Sequence, residues 1–392
     1  MLKATKVRIY PTPEQAEFLN RQFGAVRFAF NKGLRIKNHY YRKHGKNLSP
    51  KKDLKPLLAK AKKSRKYAWL KDFDSIALQQ SAINLDKAFQ NFFDPKLQAK
   101  KPRFKSKRGK QSSYHCTSVS VGENWIKVPK CKPIKAKVHR AIAGKVKSIT
   151  LSKTSTGKYF ASILVDDGIA NAKPLDEIST NQVVGVDMGL THLAITSRGD
   201  KQDNPRFLKQ AARNLRRKQK ALSRCKKGSK GRAKARILVA KAHERTANAR
   251  HDFQHKLSKQ LIDDNQAVIV ETLKVKNMLK NRRLSKHIAD ASWHSLLSKL
   301  EYKAKEQGKY LVKIDQWFAS SKTCAHCNHK TEKMPLSVRY WDCPSCGTKG
   351  IDRDINAAVN IRNQGIIKLK AEGLSVSANG GLRKTSETLA AA

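Results

Sequence analysis

Apolar and polar positions alternate from Lys3 to Tyr10, with Val7 and Ile9 as apolar members, which is the period of a strand with one buried face. Pro11 and Pro13 end it. Thr12 can then N-cap a helix that has Pro13 at its first position. Ala16, Leu19, Phe23, Val26 and Phe30 follow at steps of three and four along one face. Lysine-rich segments from Arg35 to Lys66 and a more apolar helix around Ile76 to Phe93 complete a helical unit. Asp94 to Lys110 has few helix signals and reads as a basic loop. Short strands recur from Tyr114 to Val165, among them Lys147 to Leu151 and Tyr159 to Val165, separated by breakers such as Gly157.

The pattern changes after a loop expected from Asp166 to Asn181. Val183-Val184-Gly185-Val186-Asp187 is apolar almost without interruption, which fits a strand buried on both faces. Residues 209 to 250 hold 16 Lys or Arg against one acid, Glu244, with alanines and leucines at helical spacing and a break from Gly228 to Gly231. That predicts a long helical hairpin, solvated or facing nucleic acid. Ala267 to Glu271 is a second buried strand, Ala291 to Gln307 an amphipathic helix and Tyr310 to Ile314 another short strand. Past Gly373 the residues are small and polar, and a disordered tail is expected.

Charge changes the picture more than pattern does. Lys and Arg number 83 against 30 Asp and Glu, a formal charge of +53 on 392 residues. An excess of that size repels itself and calls for a polyanion, so nucleic acid is the default partner. Apolar residues still make up 39%, ample for cores, and the length suggests two or three domains. The longest apolar runs fall far short of the roughly 20 residues that cross a bilayer, and no signal segment opens the chain. A cytoplasmic protein with no membrane partner is expected.

Of seven cysteines, only Cys324, Cys327, Cys343 and Cys346 form close pairs. Two C-x-x-C knuckles with 15 residues between them match the spacing of a structural Zn²⁺ site. A pair of redox dithiols is the other reading, and it needs no second copy at that distance. Four thiolates would fill a tetrahedron and leave no open position for hydrolysis. Cys116, Cys131 and Cys225 read as incidental thiols.

Three carboxylates stand at the ends of apolar stretches. Asp187 closes the Val183 strand, Glu271 follows Val268-Ile269-Val270, and Asp354 sits where a helix begins after Asp352. A carboxylate at the end of a buried strand is costly unless a cation or donors compensate it, and three together invite Mg²⁺ or Mn²⁺. Such a site can activate water against a phosphodiester. For each acid taken singly, capping or ion pairing is the alternative; Asp352 is the expected helix cap, and Arg353 reads as a solvated arginine.

In order along the chain, Arg8 to Gln15, Arg27-Phe28-Ala29-Phe30-Asn31, the Pro102 to Lys107 block and Gly185 to Leu190 resemble the TnpB proteins of bacterial insertion sequences, which are similar to type V CRISPR effectors. The resemblance continues through Asn248 to Phe253, Ile269 to Leu273, Ser320 to Cys324, both knuckles and Asp352 to Ile361. It implies a mixed α/β, multi-domain protein. Its parts would be a β-rich wedge (1–10 and 111–170), a helical recognition insert (11–110) and an RNase H-like, RuvC-type nuclease domain (181–320 and 351–372). A zinc ribbon (321–350) would be inserted late in the nuclease domain, ahead of a tail (373–392). It assigns Asp187, Glu271 and Asp354 as the acidic motifs holding Mg²⁺ or Mn²⁺. It also implies RNA-guided cleavage of double-stranded DNA beside a short flanking motif, with guide RNA from the protein's own element. Arg8, Arg27, Lys105, Lys107, Arg216 and Arg217 are the candidate nucleic-acid contacts. Asn328 stands where the family's first knuckle often has glycine, which bears on the turn and leaves every thiolate in place.

A non-catalytic RNA-guided or direct DNA-binding repressor, or a transposase accessory protein, is the alternative. A strand-joining transposase finds little support: there is no His-hydrophobe-His motif with a downstream tyrosine nucleophile, and Tyr159 and Tyr302 read as packing residues.

Overall fold

The computed structural model describes residues 1–107, 111–170, 172–335 and 337–377. The chain divides into two compact units, one spanning Met1–Ala170 and the other taking in the described residues after Asn171.

In the first unit, β1 (Leu2–Tyr10) leads into α1 (Pro13–His44). The Gln15 amide donates to the Thr12 hydroxyl at 3.3 Å and the Thr12 amide donates to the Gln15 side chain at 3.0 Å, a reciprocal capping box. The helix does not end at the lysine-rich stretch. Lysine and arginine are good helix formers, so it continues through Arg35 to His44 until Gly45, at φ 64°, closes it. There follow α2 (Lys55–Lys63), α3 (Ser75–Phe93), β2 (Gln111–Cys116), β3 (Ser120–Val121), β4 (Trp125–Lys127), β5 (Ile134–Lys137), β6 (Lys145–Thr154) and β7 (Tyr159–Asp166). No helix or strand forms over 94–107, and residues 108–110 of the expected basic loop lie outside the described residues. The strands make one sheet, ordered β2-β6-β7-β1-β5-β4-β3. Val7 and Ile9 share its buried face with Tyr159, Ala161, Ile163 and Val165, and Leu19, Phe23 and Val26 of α1 belong to the same core.

The second unit contains β8 (Glu177–Ser179), β9 (Val183–Asp187), β10 (His192–Thr196), β11 (Lys201–Asp203), α4 (Phe207–Arg224), α5 (Lys230–Asp263) and β12 (Ala267–Val270). It continues with α6 (Val275–Met278), α7 (Ser285–Ala291), α8 (Trp293–Glu306), β13 (Tyr310–Lys313), β14 (Tyr340–Trp341), β15 (Ile351–Asp352), α9 (Arg353–Ala371) and β16 (Ser375–Ser377). Five strands pair in the order β11-β10-β9-β12-β13; β9, β12 and β13 are parallel to one another, and β10 and β11 return antiparallel. The period-two alternation sorts side chains to two faces. Val184, Val186, Val268 and Val270 pack with Leu257, Leu261, Leu296 and Leu300 of α5 and α8. Val183, Ala267 and Ile269 face the other way, into a core with Ile361 and Leu369 of α9.

Four expectations change here. The loop expected over 166–181 contains β8, and β16 pairs with it in parallel, Val376 opposite Ile178, because Leu374 and Val376 alternate into the α9 core. Residues 373–377 are therefore not disordered tail, and the remainder of the expected tail, 378–392, lies outside the described residues. Ala291 closes α7 and does not open α8, since Ser292 sits at φ 54° between the two helices. Tyr159 is buried as expected, but Tyr302 is exposed, off the face that Leu296, Leu300 and Ala304 bury.

Candidate metal centres and nucleic-acid surface

Asp187 ends β9 and Glu271 immediately follows β12. These strands are parallel neighbours with Val186 opposite Val270, so both carboxylates leave the same end of the sheet. The alternation that places Val183 and Ala267 toward α9 continues to Gly185 and Ile269, and then to Asp187 and Glu271. Two glycines bring α9 onto that face. A Cβ at Gly185 would lie 2.0 Å from the Ala358 carbonyl oxygen, and one at Gly365 would lie 2.3 Å from Ile269 Cγ2. Only glycine permits this approach, and it carries the first turn of α9, with Asp354, to the strand ends.

Asp352 is the helix cap: its side chain accepts from the Asp354 and Ile355 amides at 3.0 and 3.1 Å and pairs with Lys201. That leaves the Asp354 carboxylate outside the capping role, and Arg339 donates to its two oxygens at 3.2 and 3.4 Å. The Ser320 hydroxyl donates to Glu271. Burial raises the Asp187 pKa to about 7, with Glu271 and Asp354 adding to the rise; the Met188 amide and Arg353 oppose it. Asp187 thus feels both other carboxylates with too little positive charge to offset them, a condition a divalent cation relieves. All the side-chain donors are hard oxygens, which fits Mg²⁺ or Mn²⁺ and not a soft metal.

Arg353 is a correction. It is buried, not solvated, and donates to the carbonyls of Pro335 at 2.8 Å and Val338 at 3.3 Å, so it ties α9 to the segment before β14.

The four cysteine sulfurs lie within 4.8 Å of one another, and no other group of three or more His, Cys, Asp or Glu among the described residues draws its ligand atoms that close. Cys324 and Cys346 sulfurs are 3.8 Å apart and Cys327 and Cys343 3.6 Å. A tetrahedron with Zn–S of about 2.3 Å has edges of about 3.8 Å, so the cage already has the size of zinc. The two knuckles use the same turn. Asn328 sits at φ 61° and its amide donates to the Cys324 carbonyl at 2.9 Å; Gly347 sits at φ 68° and donates to Cys343 at 3.0 Å. Asparagine tolerates the left-handed region better than other non-glycine residues, so the replacement leaves the turn unaltered.

Two residues escaped the sequence reading. Asn356 Nδ2 donates to the Thr323 carbonyl at 2.7 Å while its oxygen accepts from the Ala325 amide at 2.9 Å. Asn360 Nδ2 donates to the carbonyls of Ser320 at 2.9 Å and Thr323 at 2.6 Å. Both are buried. They fasten the first knuckle and Ser320 to the helix that carries Asp354, joining the two centres. The available signal was a pair of asparagines four residues apart inside a helix, where their propensity is poor.

The candidate nucleic-acid residues fall on both units. Arg216 and Arg217 are exposed on α4, and Lys107 is exposed in the basic loop. Lys105 Nζ sits 4.0 Å from the centre of the Phe30 ring, and its backbone is bonded both ways by the Asn31 side chain at 2.8 and 2.9 Å. Arg8 lies over the Phe160 ring at 5.2 Å, and Arg27 donates to the Ser112 hydroxyl at 3.2 Å while burial lowers its pKa. On the other unit, buried Asp290 accepts from the Leu208 and Lys209 amides and from Arg250 at 2.7 Å, capping α4 and holding it to α5. The basic hairpin is therefore a fixed surface. Among the described residues no helix is long and apolar enough to cross a membrane.

The geometry defines a mixed α/β protein with a four-cysteine cage and a set of carboxylates at parallel strand ends. Residues 169–282 match the family described as "Probable transposase" (OrfB of IS605), residues 293–361 a "Cas12f1-like, TNB domain", and residues 1–46 a "Helix-turn-helix domain". The last stretch is here a strand and one unbroken helix. A Streptomyces pristinaespiralis protein described as "Putative RNA-guided DNA endonuclease" is 38% identical over 98% of this chain and 93% of its own length. An Escherichia coli (strain K12) protein, "Putative RNA-guided DNA endonuclease InsQ", is 29% identical over 92% of this chain and 91% of its own. A chain from a Cas12f1-sgRNA-target DNA complex covers 93% of this chain and 99% of itself at 14% identity with a TM-score of 0.36, too loose a likeness to argue from. The chain belongs to the TnpB family, OrfB of IS605.

Proposed function

We propose that this chain is an RNA-guided DNA endonuclease whose nuclease site is built from Asp187, Glu271 and Asp354. The observation that carries the reading is the convergence of these acids at the ends of β9, β12 and α9, with Asp187 raised to about 7 by burial and by its two neighbours. The strand order, with β9 central and α9 laid on it through Gly185, supports an RNase H-like, RuvC-type arrangement of the second unit. The first unit would then supply the wedge and the recognition helices.

Asp187, Glu271 and Asp354 would hold the divalent cation, which when bound supplies a water activated toward the scissile phosphate and charge for the leaving oxygen. The protein's own contributions follow from the contacts. Ser320 orients Glu271 by donating to one of its oxygens. Asp352 takes the capping role, so Asp354 is not spent on the helix terminus. Arg339, now on Asp354, is positioned to move to a phosphate once a cation replaces it. The Cys324, Cys327, Cys343 and Cys346 cage would hold a structural Zn²⁺ that keeps β14, which directly follows Arg339, in place. The +53 charge supports a guide RNA and a double-stranded target held by the backbone, with base pairing reading the sequence beside a short flanking motif.

The test is to purify the chain with the RNA from its own locus and assay DNA carrying a matching target. Cleavage at the match, lost on RNA removal and restored by a reprogrammed guide, is expected. RNA-independent binding of one DNA sequence without cutting would favour the repressor reading instead.

A further inference from the structure

Trp317 is 79% exposed, more than any other large apolar side chain among the described residues. A single exposed apolar residue is ordinary and would mean little alone. Its surroundings are not ordinary. Trp317 lies at the middle of the loop from Ile314 to Ser320, and both ends of that loop are tied to the Glu271 segment. At one end the Ile314 carbonyl accepts from the Thr272 hydroxyl at 2.6 Å, and the Ile314 amide donates to Val270 at 3.0 Å. At the other, the Ser320 hydroxyl donates to Glu271 itself, and its carbonyl accepts from buried Asn360 at 2.9 Å.

The loop between is rigid. The Trp317 amide donates to the Asp315 carboxylate at 2.7 Å, and the next side chain, Phe318, packs into the core beneath β12, β13 and α9. Three residues span at most about 11 Å, so the Trp317 backbone stays within that reach of Ser320, whose hydroxyl holds Glu271. Lys274, three residues past Glu271 on the other side, places its ammonium 5.0 Å from the centre of the Trp317 ring. One ring face is thus backed by a cation, and so exposed a ring offers the rest to solvent.

We propose that Trp317, backed by Lys274, is a stacking platform that seats one nucleobase of the DNA strand whose backbone lies on the carboxylates. The proposal rests on the nuclease reading and adds how the strand is held. Every base has a π-face, so a tryptophan platform accepts any sequence, as a protein that leaves sequence reading to a guide requires. Bases inside a duplex are already stacked on each other, so the platform takes a strand that is single at that point. Lys274 adds charge for the adjoining phosphate.

The test uses the full chain with its copurified RNA. In the first arm, the Asp187→Ala protein is irradiated with matching DNA carrying 5-iodouracil at successive positions of the strand to be cut. A cross-link on the Trp317 peptide from one position is expected, and none in the same protein bearing Trp317→Ala. In the second arm, cleavage by otherwise unaltered protein is timed. Trp317→Ala should slow it roughly tenfold to a hundredfold, Trp317→Phe should recover most of the loss and Lys274→Ala should cost less. An abasic nucleotide at the cross-linked position should slow the unaltered protein equally and the Trp317→Ala protein no further. The melting temperature should not move, since the side chain packs on little. Equal cleavage rates with an unchanged cross-link pattern, or independent losses from the abasic site and Trp317→Ala, would each overturn the platform while leaving the nuclease reading intact. If the unaltered protein fails to cut at all, the nuclease reading falls, and the first arm still decides whether a base sits on Trp317.

Discussion

The four-cysteine cage and the carboxylates are both tied to α9, yet they are built in opposite ways. The cage comes from two short knuckles whose turns are closed locally, and its sulfurs already stand at zinc spacing. The carboxylates come from three elements, spread from Asp187 to Asp354, and converge only because β9 and β12 pair in register and two glycines seat α9 on them. A site made of local turns has its geometry before a metal arrives. A site made by packing has its position fixed and its charge unresolved, which is why Asp187 is pushed up to about 7. The first kind suits a structural ion, and the second suits an ion that takes part in chemistry.

The sharpest way to separate the two centres is to remove their ligands in turn. Asp187→Ala, Glu271→Ala and Asp354→Ala are each expected to reduce DNA cleavage to background while guide-dependent DNA binding and zinc content stay level, because affinity should come mainly from base pairing and many phosphate contacts. Cys343→Ser should instead take zinc from one per chain to none, read by metal analysis, and should unfold the ribbon segment. Through Asn356 and Asn360 that loss reaches Ser320, so cleavage should fall as well. An unchanged zinc content would break the comparison from the cage side.

Gly185→Ala tests packing without touching a ligand. The new Cβ cannot fit against the Ala358 carbonyl, so α9 must lift, costing about 1–3 kcal/mol in thermal or denaturant unfolding and lowering cleavage more than stability. The pH dependence tests charge. With its folded pKa at about 7 against about 3.9 unfolded, Asp187 holds a proton in the folded state that the unfolded chain has released. Stability from this group is full below about pH 4 and lost as pH rises through about 7. In the absence of divalent ions, Asp187→Asn should therefore raise the melting temperature more at pH 8 than at pH 5. Added Mg²⁺ should stabilise the unaltered protein in the same direction. The smallest effect belongs to Asp352→Ala, which removes a helix cap worth about 1 kcal/mol and should leave cleavage in place. A dead Asp352→Ala with an active Asp354→Ala would move the third ligand by two residues.

What the sequence made legible followed the same division. The cysteine spacing, the Thr12 cap and the buried run of Val183 to Asp187 are local patterns, and each has its counterpart in the structure. The positions of Asp187 and Glu271 at strand ends were legible, and their pairing was not, because register between distant strands leaves no trace in either segment alone. Arg353 was misjudged for a related reason: its partners, Pro335 and Val338, come from the far side of the second knuckle. Leu374 and Val376 were hidden in a polar stretch too short to show alternation, and only the edge offered by Ile178 puts Val376 in a strand.

Asp187, Glu271 and Asp354 would form one divalent-metal site distinct from the cysteine cage. Manganese binding to the purified full chain, followed by electron paramagnetic resonance alongside zinc analysis on the same samples, tests it most directly. Manganese should bind the unaltered protein more tightly at pH 8 than at pH 6 and be lost in each of the three alanine variants, with one zinc retained throughout. Manganese that stays bound in all three variants, or that leaves only when zinc does, would contradict it.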